Sequence, residues 1–200
     1  MIVISLLHIL KNKLTTFYSS RFLGIKCDSN VTFKGIPFTL KKNNAKISIG
    51  KNTIINSSNY GYHINMFSKC KLYADVEWSL IEIGENCRIH GTCIHAFNKI
   101  SIGNNCLIAA NTQIIDANGH ENCMDNPSDR LIKKDKGKEI IIENNVWIAA
   151  NCVILGGTII GEGSIITAGS VVKGIIPKKS IYGGNPGKLI KNYNENSYTS

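Results

Sequence analysis

The sequence predicts a mainly β chain wound into a parallel β-helix, with a short N-terminal helix and one protruding loop. Three observations predict it. An aliphatic residue returns at every sixth position through Ile142, Ile148, Ile154, Ile160, Ile166 and Val172. Small residues stand two places before these beats, and Gly or Asn often follow them. From Ile114 to Ile142 the beat stops and polar residues crowd in.

A period of six matches neither the 3.6 of a helix nor the 2 of a lone strand. It matches a coil with three flat sides, each six residues long and each giving one large aliphatic to the interior; stacked coils form a parallel β-helix. The same beat runs through Ile102, Ile108 and Ile114, through Ile83 and Ile89 until it meets His95, and through Ile49 and Ile55. On a pleated side the residue two before the beat also points inward. Those positions hold Cys87, Cys93, Cys106, Val146, Cys152, Thr158, Ser164 and Ser170, mostly small, as a narrow prism requires. Glycine often follows the beat, in "IGKN" (49–52), "IGEN" (83–86), "IGNN" (102–105) and "IGEG" (160–163); a corner needs a residue tolerant of positive φ, and Gly or Asn is expected to provide it. Residues 61–80 are irregular and are expected to hold one imperfect coil with a looped corner.

At the N-terminus, Val3, Leu6, Leu7, Leu10 and Leu14 fall on one helical face. The expected element is a short helix covering the end of the prism; a helix lying weakly on a membrane surface through residues 1–20 is the alternative. The apolar run is too short to span a bilayer and lacks the charge and cleavage pattern of a signal peptide. The expected organisation is an N-terminal segment 1–29, a β-helix domain 30–176 with a loop at 116–139, and a C-terminal segment 177–200 whose "NYNENSYTS" ending reads as a frayed tail. From Ile114 to Ile142 is 28 residues against 18 for a full coil, so about ten residues are expected to leave the prism as that loop. A long polar loop in so economical a fold suggests function, and His120 stands at its start, right after a glycine.

Composition narrows the class. With 43% hydrophobic and 18% charged residues, the 200-residue chain can bury a core and suits one main domain. The net charge of +9 admits nucleic acid, an anionic membrane or a phosphate-bearing ligand. Aromatic and basic residues are not interleaved and no nucleic-acid module is recognisable, so nucleic acid is not expected. Seven cysteines without a CxxC pair indicate neither a disulfide framework nor a zinc knot, and a reducing cytoplasm is the simpler setting.

The stretches "ISIGNNCLIAANTQIIDANGH" (100–120), "IIIENNVWIAANCVILGGTIIGEGSIITAGSVV" (140–172) and "IPKKSIYGGNPGKLIK" (176–191) resemble the hexapeptide-repeat acyltransferases, and most of all their sugar O-acetyltransferase branch, with galactoside, maltose and surface-polysaccharide acetyltransferases. The resemblance covers roughly residues 30–191. It implies a left-handed coil, a homotrimer of parallel prisms, and acetyl-CoA as co-substrate in the groove between neighbouring subunits, with no metal required. It implies acetyl transfer to the hydroxyl of a sugar or glycan in bacterial surface-polysaccharide biosynthesis. The family's catalytic histidine falls on His120, with Asp116, Glu121 or a backbone carbonyl as candidates to orient it. Trp147, Ala149, Ala150, Ala168 and Gly169 match the wall for the pantetheine arm; Lys173, Lys188 and Lys191 match basic positions near the nucleotide phosphates. His90, Thr92, His95 and Asp116 are the candidates for the acceptor.

The chemistry is consistent with those assignments. Thioester-to-hydroxyl transfer needs a base for the hydroxyl proton and donors for the tetrahedral oxyanion. Imidazole, with a reference pKa near 6.5, suits the first task near neutral pH. Acetylation of an amine on an amino sugar would use the same groove and base. A non-catalytic β-helix scaffold that binds a partner or a metal, the metal through His63, His90, His95 and His120, is the reading from another class.

Overall fold

A computed structural model describes residues 2–193, with side chains from Leu7 onward. The side chains of Val3 and Leu6, and the tail beyond Tyr193, lie outside the described residues. Helix Ile2–Phe22 leads into a three-sided prism. The first sheet has seven strands and includes Lys99–Ile102, Ile140–Ile142 and Ile159–Ile160. The second has eight and includes Arg88–His90, Leu107–Ile108, Trp147–Ile148 and Ile165–Ile166. The third has six and includes Lys71–Ala74, Cys93–Ala96, Gln113–Ile115 and Val153–Leu155. Pairing is parallel except where Gly187–Asn192 turns back along Ser180–Gly184. Lys26–Cys27 already pairs with the next coil, four residues ahead of the expected boundary.

The six-residue beat is the inner column of each sheet. Ile142 pairs with Ile160, Ile148 with Ile166 and Ile154 with Val172, each 18 residues on. All six are buried. Each such aliphatic contributes about 1.5–3 kcal/mol by leaving water.

Of the two residue types expected at the corners, Asn supplies the positive φ at Asn52, Asn86, Asn105 and Asn145, and Gly does so at Gly163. Gly84 and Gly103 do not carry the positive φ. They are required by close approach: a Cβ on Gly84 would lie 2.7 Å from the carbonyl carbon of Gly103, and one on Gly103 would lie 2.8 Å from the amide nitrogen of Asn144. The left-handed residue comes two places later, at Asn52, Asn86, Asn105 and Asn145, with φ between 56° and 61°. Their side chains form a ladder along the prism edge. Each amide donates to the next coil's amide oxygen: Asn30 to Asn52, Asn52 to Asn86, Asn86 to Asn105 and Asn105 to Asn145, at 3.2–3.3 Å. Asn145 closes the run on Glu162 Oε1 at 2.9 Å.

Two further expectations change. The beat does not reach His95. The corner at Gly91, with φ +47°, is one residue short, so Ile94 takes the inward place, Thr92 the small position before it, and Cys93 and His95 turn outward. The long loop also takes more residues than expected. Ile102 pairs with Ile142, 40 positions on, against 18 for a regular coil, so some 22 residues leave the prism rather than ten. The irregular coil is looped at 57–70, between strands Ile54–Asn56 and Lys71–Ala74.

Replacing Asn105 by Ala places a Cβ-bearing residue without a local partner in a left-handed turn and cuts two ladder bonds. It is expected to destabilise the fold by about 1–2 kcal/mol. Asn105→Gly, which keeps the turn, should cost less. Urea unfolding of both variants checks the order.

Candidate active site

Two concave regions and one polar cluster hold the candidate residues. The larger region is a groove of about 650 Å³ on the outer face of the second sheet. The register stacks Arg88, Leu107, Trp147 and Ile165 on successive coils, and alternation points them outward. Trp147, Ala149, Ala150 and Ala168 line the groove with His90. The small alanines leave a shelf beside the Trp147 ring. Gly169, with φ +71°, makes the adjoining corner, and a Cβ there would meet nothing within 4 Å.

His90 is fixed by its register partner on the adjacent coil and by the loop that follows it. The Ser58 N–H donates to Asn56 Oδ1 at 3.0 Å, which turns the Asn56 amide nitrogen towards His90 Nδ1, 3.1 Å away. Nδ1 is thereby the acceptor and Nε2 carries the proton. The Tyr62 ring stacks on the imidazole at 4.3 Å. Burial first, then the charges of Lys34 and Arg88, depress the His90 pKa to about 4. The groove therefore offers a neutral N–H donor beside the cations Lys34 and Arg88. Tyr62 and His63 enter from the 57–70 loop, which the six-residue beat does not resolve.

The second region is a cavity of about 360 Å³ at the base of the long loop, lined by Asp116, Glu121, Asp135, Lys138 and Lys173 among others. The neck of the loop is tied by the Asp135 carboxylate, which accepts the N–H groups of Asn118 at 2.9 Å and Gly137 at 3.1 Å. Those bonds hold its pKa below the ordinary carboxylate value. His120 stands exposed on this loop, and among the described residues its ring has no hydrogen-bond, ionic or ring partner.

Several expected residues have other employment. Asp116 is buried and its two oxygens accept the N–H groups of Phe97 at 2.7 Å and Asn98 at 2.8 Å, closing a corner. Burial pushes its pKa up and those N–H groups pull it back. This carboxylate holds the wall behind the loop, and both of these partners are backbone N–H groups of the neighbouring coil, not His120. Thr92 is fully buried and its hydroxyl donates to the carbonyls of His90 and Ala109, so it offers nothing to a substrate. Lys173 joins the loop cavity rather than the groove. Lys188 and Lys191 are exposed on the strand that extends the second sheet, and the Lys191 ammonium lies 4.4 Å over the Tyr193 ring. Glu121 is exposed, and its backbone N–H donates to the Lys133 carbonyl at 3.1 Å.

His95 sits on the third sheet in a cluster that spacing did not reveal. Its Nε2 lies 3.2 Å from Asp75 Oδ2, the Tyr73 hydroxyl donates to Asp75 Oδ1, and the Tyr73 and His95 rings stack at 4.5 Å. Register explains the meeting, because Tyr73 and His95 are partners across adjacent coils. His63 and His90 belong to the groove, His95 to this cluster and His120 to the loop, so the four histidines do not converge in one chain. Among the described residues no group of three or more His, Cys, Asp or Glu could hold a metal.

Comparison with known proteins defines the class. Residues 139–174 match the family described as bacterial transferase hexapeptide (six repeats), and residues 81–115 match the hexapeptide repeat of succinyl-transferase. The chain is 30% identical over 162 residues to an Escherichia coli K12 protein, WbbJ, provisionally named a lipopolysaccharide biosynthesis O-acetyl transferase. That match covers 76% of this chain and 75% of WbbJ. Among solved structures, a mutant of AntD, an N-acyltransferase from Bacillus cereus in complex with dTDP-4-amino-4,6-dideoxyglucose and coenzyme A, is similar with TM-score 0.63 and 22% identity over 86% of each chain. A maltose O-acetyltransferase from Clostridium difficile 630 is similar with TM-score 0.53 and 25% identity, covering 92% of this chain and 84% of that one. The prism is the left-handed parallel β-helix of these enzymes. The chain belongs to the hexapeptide-repeat acyltransferases.

The His90 ring supplies a pH test. Its folded pKa lies below the unfolded value of 6.5, so its contribution is present above pH 6.5 and is lost as the pH falls towards about 4. After discounting for its partial exposure, about 1–2 kcal/mol should disappear across that window. Denaturant unfolding of wild type and His90→Gln should show this loss in the wild type alone.

Proposed function

We propose that the enzyme transfers an acetyl group from acetyl-CoA to a sugar hydroxyl in the assembly of a bacterial surface polysaccharide, with His120 as general base. The observation that carries this reading is the division of the site. The groove with its small-residue shelf lies on the second sheet, while His120 projects, unpartnered, from a loop that leaves between the third sheet and the first. A homotrimer of parallel prisms brings the loop of one subunit to the groove of the next and completes the site. The similarity to WbbJ favours an oxygen acceptor and a surface glycan.

In this mechanism the pantetheine arm lies along Trp147, Ala149, Ala150 and Ala168, and Lys188 and Lys191 on the same sheet meet the nucleotide phosphates. Lys173 lies by the loop, where the neighbouring groove would bring the donor. A neutral His120 nitrogen takes the proton as the sugar oxygen bonds to the thioester carbonyl carbon. The tetrahedral intermediate collapses, the C–S bond breaks, and the imidazolium returns its proton to the departing thiolate. The His90 Nε2–H is a ready hydrogen-bond donor for a carbonyl or hydroxyl oxygen in the groove. His95, held by Asp75 and Tyr73, is the acceptor-side candidate on the subunit that gives the loop. Asp116 supports the base of the loop, and Glu121 or a group from the neighbouring subunit orients the imidazole.

His120→Ala is expected to fold, to bind CoA with unchanged affinity, and to lose at least about a hundredfold in transfer rate. Thiol release from acetyl-CoA with a panel of sugars and nucleotide sugars measures it. Undiminished release by the variant would remove His120 from the mechanism. Release that requires an amino sugar would move the reading to N-acetylation.

A further inference from the structure

The N-terminal helix is mounted the opposite way from its expected orientation. The side facing the prism is polar. Thr15 and Thr16 donate hydroxyls to the Phe33 carbonyl at 2.8 and 3.4 Å, and the Phe33 N–H donates to the Thr16 hydroxyl at 2.9 Å. Ser19 is fully buried, and the His8 ring stacks on Tyr60 at 3.5 Å. Leu7, Leu10, Leu14 and Phe17 are 57–65% exposed. On a 3.6-residue turn these four form one stripe, pointing away from the face made by His8, Thr15, Thr16 and Ser19. At the helix end Phe22 lies off this stripe but is 64% exposed, with its ring 6.4 Å from that of Phe17. A helix held through its polar face, with its apolar face in water, exposes the kind of patch that marks an interaction surface.

The charge around it identifies the partner. Residues 1–51 hold nine Lys and Arg against one acidic residue, Asp28, while residues 52–200 hold fourteen against thirteen. Nearly all of the +9 net charge therefore belongs to this end of the molecule. Lys11 and Lys13 fall on the two margins of the apolar stripe. Where the helix ends, Lys26, Lys41 and Lys46 surround a hollow of about 380 Å³, with Glu82 as the acidic member of its lining. Among the described residues no helix is long and apolar enough to cross a membrane.

We infer that this helix docks the enzyme on an anionic lipid surface, lying in the interface with Leu7, Leu10, Leu14 and Phe17 among the acyl chains and the flanking lysines at the headgroups. A protein partner would need only the apolar stripe; the excess of cations over carboxylates at this end, which remains with Lys51 paired to Glu85 and Glu82 beside the hollow, is what a negatively charged bilayer complements. The inference does not depend on the transfer chemistry.

Vesicle flotation of the full chain tests it, with no substrate present. The protein is expected to float with mixed phosphatidylglycerol–phosphatidylcholine vesicles and to bind pure phosphatidylcholine vesicles at least about tenfold more weakly. A Leu10→Asp, Leu14→Asp double variant is expected to lose at least about tenfold in binding to the mixed vesicles, with its thermal unfolding and oligomeric mass unchanged. Absence of wild-type flotation on both vesicles, or flotation untouched by the double substitution, would overturn the inference. A changed oligomeric mass in the double variant would overturn it too, by assigning the stripe to a second copy of the chain.

Discussion

Adjacent coils of the prism lie one strand spacing apart, about 4.8 Å, and every corner must pass over the next at that distance. This constraint governs the rest of the structure. It excludes a Cβ at Gly84 and Gly103, and it forces a left-handed residue two places later. Asparagine at that place satisfies the turn and binds the coil above through its side chain. Hydrophobic burial alone would tolerate slippage between identical isoleucine columns. The asparagine ladder and the close-approach glycines fix the register, and the register decides which outward side chains stand over one another.

The site is a product of that register. Trp147 stands above Leu107 and Arg88 because each coil returns to the same place. The same stacking puts His95 on Tyr73, and so beside Asp75. The two excursions are the parts that escape the repeat. The short one brings Tyr62 over His90 and keeps that ring in water-poor surroundings, where it stays neutral. The long one carries His120 away from its own prism, although Asp116 and Asp135 hold its base firmly. A rigid wall and a projecting base are complementary pieces, and the proposed mechanism joins them across subunits.

Much of this was legible in the sequence. The isoleucine beat revealed the prism, and its interruption located the loop with His120. What escaped was whatever depends on a phase shift or on which side chains meet across adjacent coils. A single missing residue at the Gly91 corner turns His95 outward, and a fixed count of six cannot sense it. The length of the long loop was underestimated because Ile114 and Ile142 occupy consecutive sides, one corner apart, and a full coil was the wrong reference. Asn56, Tyr62 and His90 meet only after 34 residues of winding. In the helix, periodicity identified an apolar stripe but not which side of the helix would face the prism.

The central claim is that base and groove act across two subunits. Subunit mixing tests it most directly. His120→Ala removes the base, and Ala168→Trp fills the shelf at an exposed position that tolerates the ring. Each variant alone should be inactive in acetyl-CoA thiol release. Unfolded together and reassembled as mixed oligomers, they should regain a substantial fraction of wild-type activity, because some interfaces then pair an intact loop with an intact groove. Mixed oligomers that form but stay as inactive as the separate variants would contradict the account and place both halves of the site in one chain.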